Sequence, residues 1–127
     1  MTNIKLLVVE DTAIARKIIQ VTLAPLGCSI DMAVDGKEAI KLFTENSYDF
    51  VFMDLGLPDM NGIEVTKKLR KLEKERGSSI IPIVALTAHH TEEDKDRGLA
   101  VGMQEFILKP LSKEVAQATI NKYVNKE

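Results

Sequence analysis

Tyr48–Gly62, YDFVFMDLGLPDMNG, is the stretch from which the rest of the chain is best read. Phe50–Met53 is an unbroken apolar run, and without polar alternation it predicts a strand buried on both faces. Asp54 ends that run, so a carboxylate stands where the strand leaves the sheet. Leu55-Gly56-Leu57-Pro58 follows as a loop whose glycine and proline keep backbone close to the acid. Asn61, with Glu64 three residues on, predicts an N-cap and the first turn of a helix. One acid at the mouth of a sheet carries no function alone, and what matters is what the other strands bring to it.

Upstream, Lys5–Val9 (KLLVV) is a second buried run and ends in Glu10-Asp11. From Thr12 the period changes: Ile14, Ile18 and Val21 recur at helical spacing between Arg16, Lys17 and Gln20, predicting an amphipathic helix with those three as its apolar stripe. Pro25 and Gly27 close it. Ser29–Val34 alternates enough to be a more exposed strand. Asp35-Gly36-Lys37-Glu38 resembles a capping box opening a helix that turns Ala39, Ile40 and Phe43 inward.

Downstream, the helix from Gly62 is expected to bury Val65, Leu69 and Leu72 and to end at Gly77. Its basic-rich segment Lys67–Arg76 reads as a solvated face. Ile80–Leu86 is a fourth apolar run, tolerating Pro82 near its start and ending in Thr87. Thr91-Glu92-Glu93-Asp94 opens a helix with acids in its first turn, where the dipole favours them, and Gly102 closes it. Glu105–Leu108 is a short fifth strand followed by Lys109-Pro110. Ser112 caps a last helix with Val115, Ile120 and Tyr123 or Val124 inward.

Strict alternation of continuous apolar strands with helices predicts an α/β fold with a parallel sheet covered on both faces. Right-handed crossovers leave the doubly wound order 2-1-3-4-5, a flavodoxin-like arrangement of five strands and five helices, as the common solution at this length. The 127 residues are expected to form one domain, 1–127, able to build a core without a disulfide or structural metal. A net charge of −2 gives no electrostatic reason to expect nucleic acid or an anionic membrane as partner. Cys28 is the single cysteine, no signal peptide is evident, and no apolar run approaches the ~20 residues of a membrane span, so a cytoplasmic location is expected.

The residues that end the strands are Glu10 and Asp11, Asp54, Thr87 and Lys109. A parallel sheet puts all its strand C-termini on one edge, with the binding crevice where the strand order reverses. Three carboxylates gathered there repel, and they stay ionised only if cations compensate. Lys109 supplies one charge, and a hard divalent cation such as Mg²⁺, which prefers carboxylates, waters and phosphate oxygens, would supply the rest. A metal-bound Asp with a nearby Lys and hydroxyl is equipped for phosphoryl transfer onto carboxylate.

At this point the sequence resembles the receiver domain of two-component response regulators. The resemblance rests on Val9-Glu10-Asp11, on Phe52–Pro58 with Gly62, on Ala85-Leu86-Thr87-Ala88, and on Phe106-Ile107-Leu108-Lys109-Pro110, and it covers essentially the whole chain. It implies a phosphoacceptor at Asp54, charged from the phosphohistidine of a histidine kinase or a histidine phosphotransfer domain. It implies direct Mg²⁺ ligation by Asp11, Asp54 and the Gly56 carbonyl, with Glu10 reaching the metal through water. It implies a switch hydroxyl at Thr87, an aromatic switch at Phe106, a phosphate-binding Lys109 and a cis Lys109-Pro110 bond. Such a domain catalyses its own phosphorylation and dephosphorylation but is not a turnover enzyme alone, and it is a monomer or weak dimer. Its output partner is expected on the face made by the fourth helix, fifth strand and fifth helix. The phrasing from Ala85 to Leu111 is closest to receivers of hybrid histidine kinases, whose parent proteins would be protein-histidine kinases. That group usually carries asparagine where this chain has Thr12 and Ala15. Gly56 offers no side chain to orient an attacking water, which implies a long-lived phosphate.

Other readings are weaker on the residues. A haloacid-dehalogenase-type phosphatase places a second acid two residues after its nucleophile, and here that position is Gly56. A flavodoxin-like cofactor binder needs a phosphate-accepting loop after strand 1, where Glu10-Asp11 would repel phosphate. A non-catalytic receiver-like interaction module would not need every site position filled. The adjacent His89-His90 pair does not converge on a metal and has no ligand-spaced partner.

Overall fold

Strands β1 (Lys5–Val9), β2 (Ser29–Ala33), β3 (Phe50–Asp54), β4 (Ile83–Thr87) and β5 (Glu105–Leu108) form one parallel sheet in the order β2-β1-β3-β4-β5. The structure is a computed structural model that describes residues 3–124, so the expected domain limits at 1 and 127 fall outside the described residues. Between the strands run α1 (Ala13–Leu23), α2 (Gly36–Glu45), α3 (Gly62–Arg76) and α4 (Glu92–Ala100), with α5 (Lys113–Tyr123) last. A 3-10 turn at Ala24–Leu26 finishes α1, and Gly27 leaves it in the left-handed conformation at φ 78°. This is the doubly wound architecture expected from the alternation of apolar runs and helical periods.

Burial follows position in the sheet. Every residue of central β3 and β4 is buried, whereas the edge strands β2 and β5 are mostly half-buried. The pleat then sorts the side chains by parity. Leu7, Val9, Val51, Met53, Ile83 and Ala85 pack with α2 and α3 residues such as Phe43 and Leu69. Leu6, Val8, Phe50, Phe52, Val84 and Leu86 pack with Ile19 and Leu23 of α1 and Ala116 and Ile120 of α5. β4 starts at Ile83 rather than Ile80: Pro82 has no N–H for the ladder, and Ile80 is exposed.

Helix phase is where the structure departs from the sequence reading. In α1 the stripe Ile14, Ile18 and Val21 faces outward, with Ile14 77% exposed, and the sheet takes Ile19 and Leu23 instead. The helix carries two apolar stripes, and a hydrophobic pattern cannot say which one turns inward. Arg16 lies on the same stripe as Ile19 and Leu23 (i, i+3, i+7) and donates to backbone at the end of β1, which fixes the rotation. In α5, Val115 is 43% exposed and Ala116 and Thr119 take its place on the inner face, while Ile120 is buried and Tyr123 and Val124 pack against the same core as expected.

The charged segment of α3 is not wholly a solvated face either. Glu73 is 1% exposed; its carboxylate accepts from Arg70 at 2.8 Å and from the Ile81 N–H at 3.0 Å. Arg70 also donates to the Gly102 carbonyl, tying α3 to the turn before β5.

The phase of α1 is testable by urea denaturation. Ile19→Ala should lower the unfolding free energy by about 2–4 kcal/mol through the cavity it leaves, while Ile18→Ala should stay within about 0.5 kcal/mol of the parent. Equal losses at the two positions would contradict the rotation described.

Candidate functional site

Register builds the site. Val9 pairs with Met53, Asp54 with Leu86, and Thr87 with Leu108. Glu10, Asp54, Thr87 and Lys109 therefore end four adjacent strands in one row. Asp54 and Glu10 share parity with the sheet face packed on α1 and α5, while Thr87 shares parity with the opposite face. The chain turns away from Asp54 through a close approach. The Gly62 N–H donates to the Leu55 carbonyl at 2.9 Å, and a Cβ at Gly62 would collide with the Asp54 carbonyl. Only glycine lets the N-terminus of α3 sit that near the end of β3. Asn61 caps that helix through the Ile63 N–H, at 2.7 Å.

The carboxylates of Glu10, Asp11 and Asp54 each place an oxygen within 4.8 Å of the others. Lys109 Nζ lies 2.6 Å from Glu10 Oε1 and 3.6 Å from Asp54 Oδ2. The other Glu10 oxygen accepts from the Thr12 N–H and hydroxyl at 3.2 and 3.1 Å. Asp54 Oδ1 accepts from the Gly56 N–H at 3.1 Å. A Cβ at Gly56 would meet nothing within 4 Å, so that position opens to solvent beside the acid. The Lys109-Pro110 peptide bond is cis.

Burial pushes the Asp54 carboxyl up to about 6; the Gly56 N–H opposes this, the Glu10 charge adds to it, and Lys109 opposes it again. Burial works against the charge on Lys109, but its hydrogen bond to Glu10 and the Asp54 and Glu10 charges outweigh that and hold Nζ above the ordinary lysine range. One ammonium is thus bound tightly and still leaves the cluster short of positive charge.

On the other side of the sheet, the buried Thr87 hydroxyl donates to the His89 carbonyl at 2.6 Å. Phe106 is half-buried, with its ring 5.0 Å from that of His90. The ring also lies against Gly98 of α4, where a Cβ would strike it. His89 and His90 therefore contribute a carbonyl and a ring to this region, and no metal-binding group among the described residues includes them.

The profile of the response regulator receiver domain matches residues 6–121. The chain belongs to the response regulator receiver domain family. The receiver is 34% identical over 122 residues to hybrid signal transduction histidine kinase L of Dictyostelium discoideum, covering 94% of this chain but 7% of that protein. It is therefore similar to a small part of its long relatives. Among solved structures, it is 32% identical, at TM-score 0.88, to a chain in the co-crystal of the Saccharomyces cerevisiae histidine phosphotransfer protein Ypd1 with the receiver domain of its downstream response regulator Ssk1; the match covers 97% of this chain and 90% of that one. It is 28% identical, at TM-score 0.85, to the receiver domain of sensor histidine kinase PA1611 of Pseudomonas aeruginosa, solved with a magnesium ion coordinated in the active-site cleft; 98% and 99% of the two chains are covered.

The structure brings Glu10, Asp11, Asp54, Thr87 and Lys109 to the C-terminal edge of the sheet, with Gly56 beside Asp54 and Phe106 within β5. The sequence reading weighs His90 only as a metal ligand, marks Thr12 only as a departure from the family pattern, and gives Arg16 no part in the site. The useful signal for Arg16 was its phase with Ile19 and Leu23, and that is visible only once the inner stripe is known.

The elevated Asp54 carboxyl gives a signed pH dependence. A carboxyl whose folded pKa exceeds its unfolded value of 3.8 stabilises the fold fully below that value and loses the contribution as pH rises through about 6. Asp54→Asn in metal-free protein should therefore raise stability at pH 7.5, by up to about 3 kcal/mol, with the gain fading toward pH 4. Urea denaturation at the two pH values checks this, and a gain independent of pH would contradict it.

Proposed function

We propose that this receiver takes a phosphoryl group from a phosphohistidine onto Asp54 and signals through a change of shape. The observation that carries the reading is the cluster itself: three carboxylate oxygens within 4.8 Å of one another, with Lys109 3.6 Å from Asp54. An Asp54 oxygen attacks phosphorus, the P–N bond breaks, and its electron pair returns to the imidazole nitrogen. Such a transfer needs alignment and neutralised charge more than an acid or base. Lys109 sits within reach of the incoming phosphoryl oxygens. Thr87 becomes a donor to them when its hydroxyl leaves the His89 carbonyl.

The donor set of Glu10, Asp11 and Asp54 is all hard oxygen, which fits Mg²⁺, with the Gly56 carbonyl as the proposed backbone ligand. Mg²⁺ there supplies charge neutralisation and holds phosphate oxygens in place. Gly56 presents no side chain to guide a hydrolytic water, so the acyl phosphate persists. Neither a phosphatase acid at position 56 nor a phosphate-accepting loop after β1 is present in the sequence to favour the competing readings.

The donor docks on α1. Ile14, Ile18 and Val21 form an exposed apolar stripe, and a groove of about 160 Å³ beside it is lined by Ile18, Ile19, Pro110, Leu111 and the stem of Lys109. The groove shares Ile18 with the stripe and Lys109 with the site, so a partner laid along the stripe lies next to the acidic cluster. Similarity to a chain crystallised with a histidine phosphotransfer protein supports a partner of that class. The output partner reads the α4–β5–α5 face, which Thr87 and Phe106 underlie. Phosphorylation adds roughly 1.5–2 negative charges and shifts a two-state equilibrium toward the form that face's partner prefers.

Incubation with Mg²⁺ and acetyl phosphate should give a phosphorylated protein by intact-mass spectrometry, abolished in Asp54→Asn and by chelator. Absence of an Asp54-dependent adduct would sink the reading. Ile18→Glu should slow transfer from a phosphorylated histidine phosphotransfer domain by tenfold or more while acetyl phosphate still labels Asp54 at the parent rate. Equal rates with both donors would remove α1 as the docking face.

A further inference from the structure

The start of α1 breaks rules that the other four helices keep. Asp35, Asn61, Thr91 and Ser112 each accept a first-turn backbone N–H through the side chain, and each of those helices has an acid in its first turn. At α1 the N-cap Thr12 makes no side-chain cap bond and the first turn holds no acid. Its hydroxyl goes instead to Glu10 Oε2. Arg16 follows, a cation near a helix N-terminus where the dipole opposes it. Its Nη1 donates to the carbonyls of both Glu10 and Asp11, at 2.9 Å each.

We propose that Arg16 is a positioning residue for the metal site, gripping the Glu10–Asp11 backbone so that both carboxylates face Asp54. The inference rests on reading the acidic cluster as the Mg²⁺ site. β1 ends at Val9, and the Glu10 N–H to the Ala33 carbonyl continues the ladder one step further. Beyond it, Asp11 stands on a connection between strand and helix, and Arg16 is the group that fixes both adjacent carbonyls. Arg16 is in turn held by α1, whose Ile19 and Leu23 are locked into the core. The metal ligands are thereby tied to the body of the fold through one guanidinium.

Charge and geometry make opposite predictions for its removal. A guanidinium beside a cation site repels the cation, so on charge alone Arg16→Met should bind Mg²⁺ more tightly. A positioning role predicts the reverse, with affinity falling about 10-fold or more, the range seen when groups that orient metal ligands are removed. Isothermal titration of Mg²⁺ into wild type, Arg16→Met and Arg16→Lys reads this directly, with thermal unfolding in chelator confirming that each variant folds. Arg16→Lys keeps the charge but replaces the planar guanidinium with a compact ammonium, so its affinity should fall several-fold. If Arg16→Met does not fold, Arg16→Lys decides the matter, because charge alone predicts no change for it. Affinity equal to or tighter than wild type in Arg16→Met, or unchanged in Arg16→Lys, overturns the inference. Wild type that neither binds Mg²⁺ nor forms an Asp54 adduct with acetyl phosphate overturns the functional reading beneath it. Wild type that does both, with the variants unaltered, overturns the role of Arg16 alone.

Discussion

Much of the site depends on one imbalance: three carboxylates held together against a single ammonium. Lys109 lies closest to Glu10, at 2.6 Å, and stands a further ångström from Asp54. It offsets part of the repulsion, while burial first and the Glu10 charge second keep the Asp54 carboxyl elevated. Such a cluster is held in place by what surrounds it. Buried β1 and β3 supply the register, Gly62 permits the close turn after Asp54, and Thr12 with Arg16 restrains the other two acids. Stability given up at this edge is what makes the edge receptive to cation and phosphate.

The pleat divides the labour. Glu10 and Asp54 have the parity of the α1 and α5 side, whereas Thr87 and Phe106 have the parity of the other. Groups that bind and react therefore share a side with the apolar stripe of α1. Groups proposed to report the outcome lie under α4. Under the proposed function, the donor would meet α1 and the output partner the α4–β5–α5 face, with α5 packed on the same side of the sheet as α1.

Most of this is legible in the sequence alone. Continuous apolar runs ending in Glu10-Asp11, Asp54, Thr87 and Lys109 carry both the sheet and its edge, because a parallel strand buried on two faces has few alternative readings. Helix rotation was not legible in α1, where Ile14-Ile18-Val21 and Ile19-Leu23 are both acceptable inner stripes. The choice depends on Arg16 reaching carbonyls in another element, a contact that no local pattern encodes. Val115 misled for a related reason, since Ala116 and Thr119 are small and count for little in a hydrophobic pattern yet form the tighter contact. Glu73 lies in a segment whose pattern reads as solvated, because its partners, Arg70 and the Ile81 N–H, bury it only after α3 has docked.

Among the helices, α4 buries the fewest residues. Its nine residues bury only Gly98, and its best local support is the Thr91–Asp94 capping box, which travels with the helix. Helices α2, α3 and α5 each bury three or more residues against the sheet. Gly98 meets the core through the Phe106 ring, and His90 packs on the same ring from the loop that accepts the Thr87 hydroxyl. An element with so little buried area opens at low cost. Redirecting Thr87 toward a phosphoryl group would free the His89 carbonyl, disturb the loop that carries His90, and change what Phe106 packs against. α4 needs no large force to respond, since the ring that would turn beneath it is the contact that seats it.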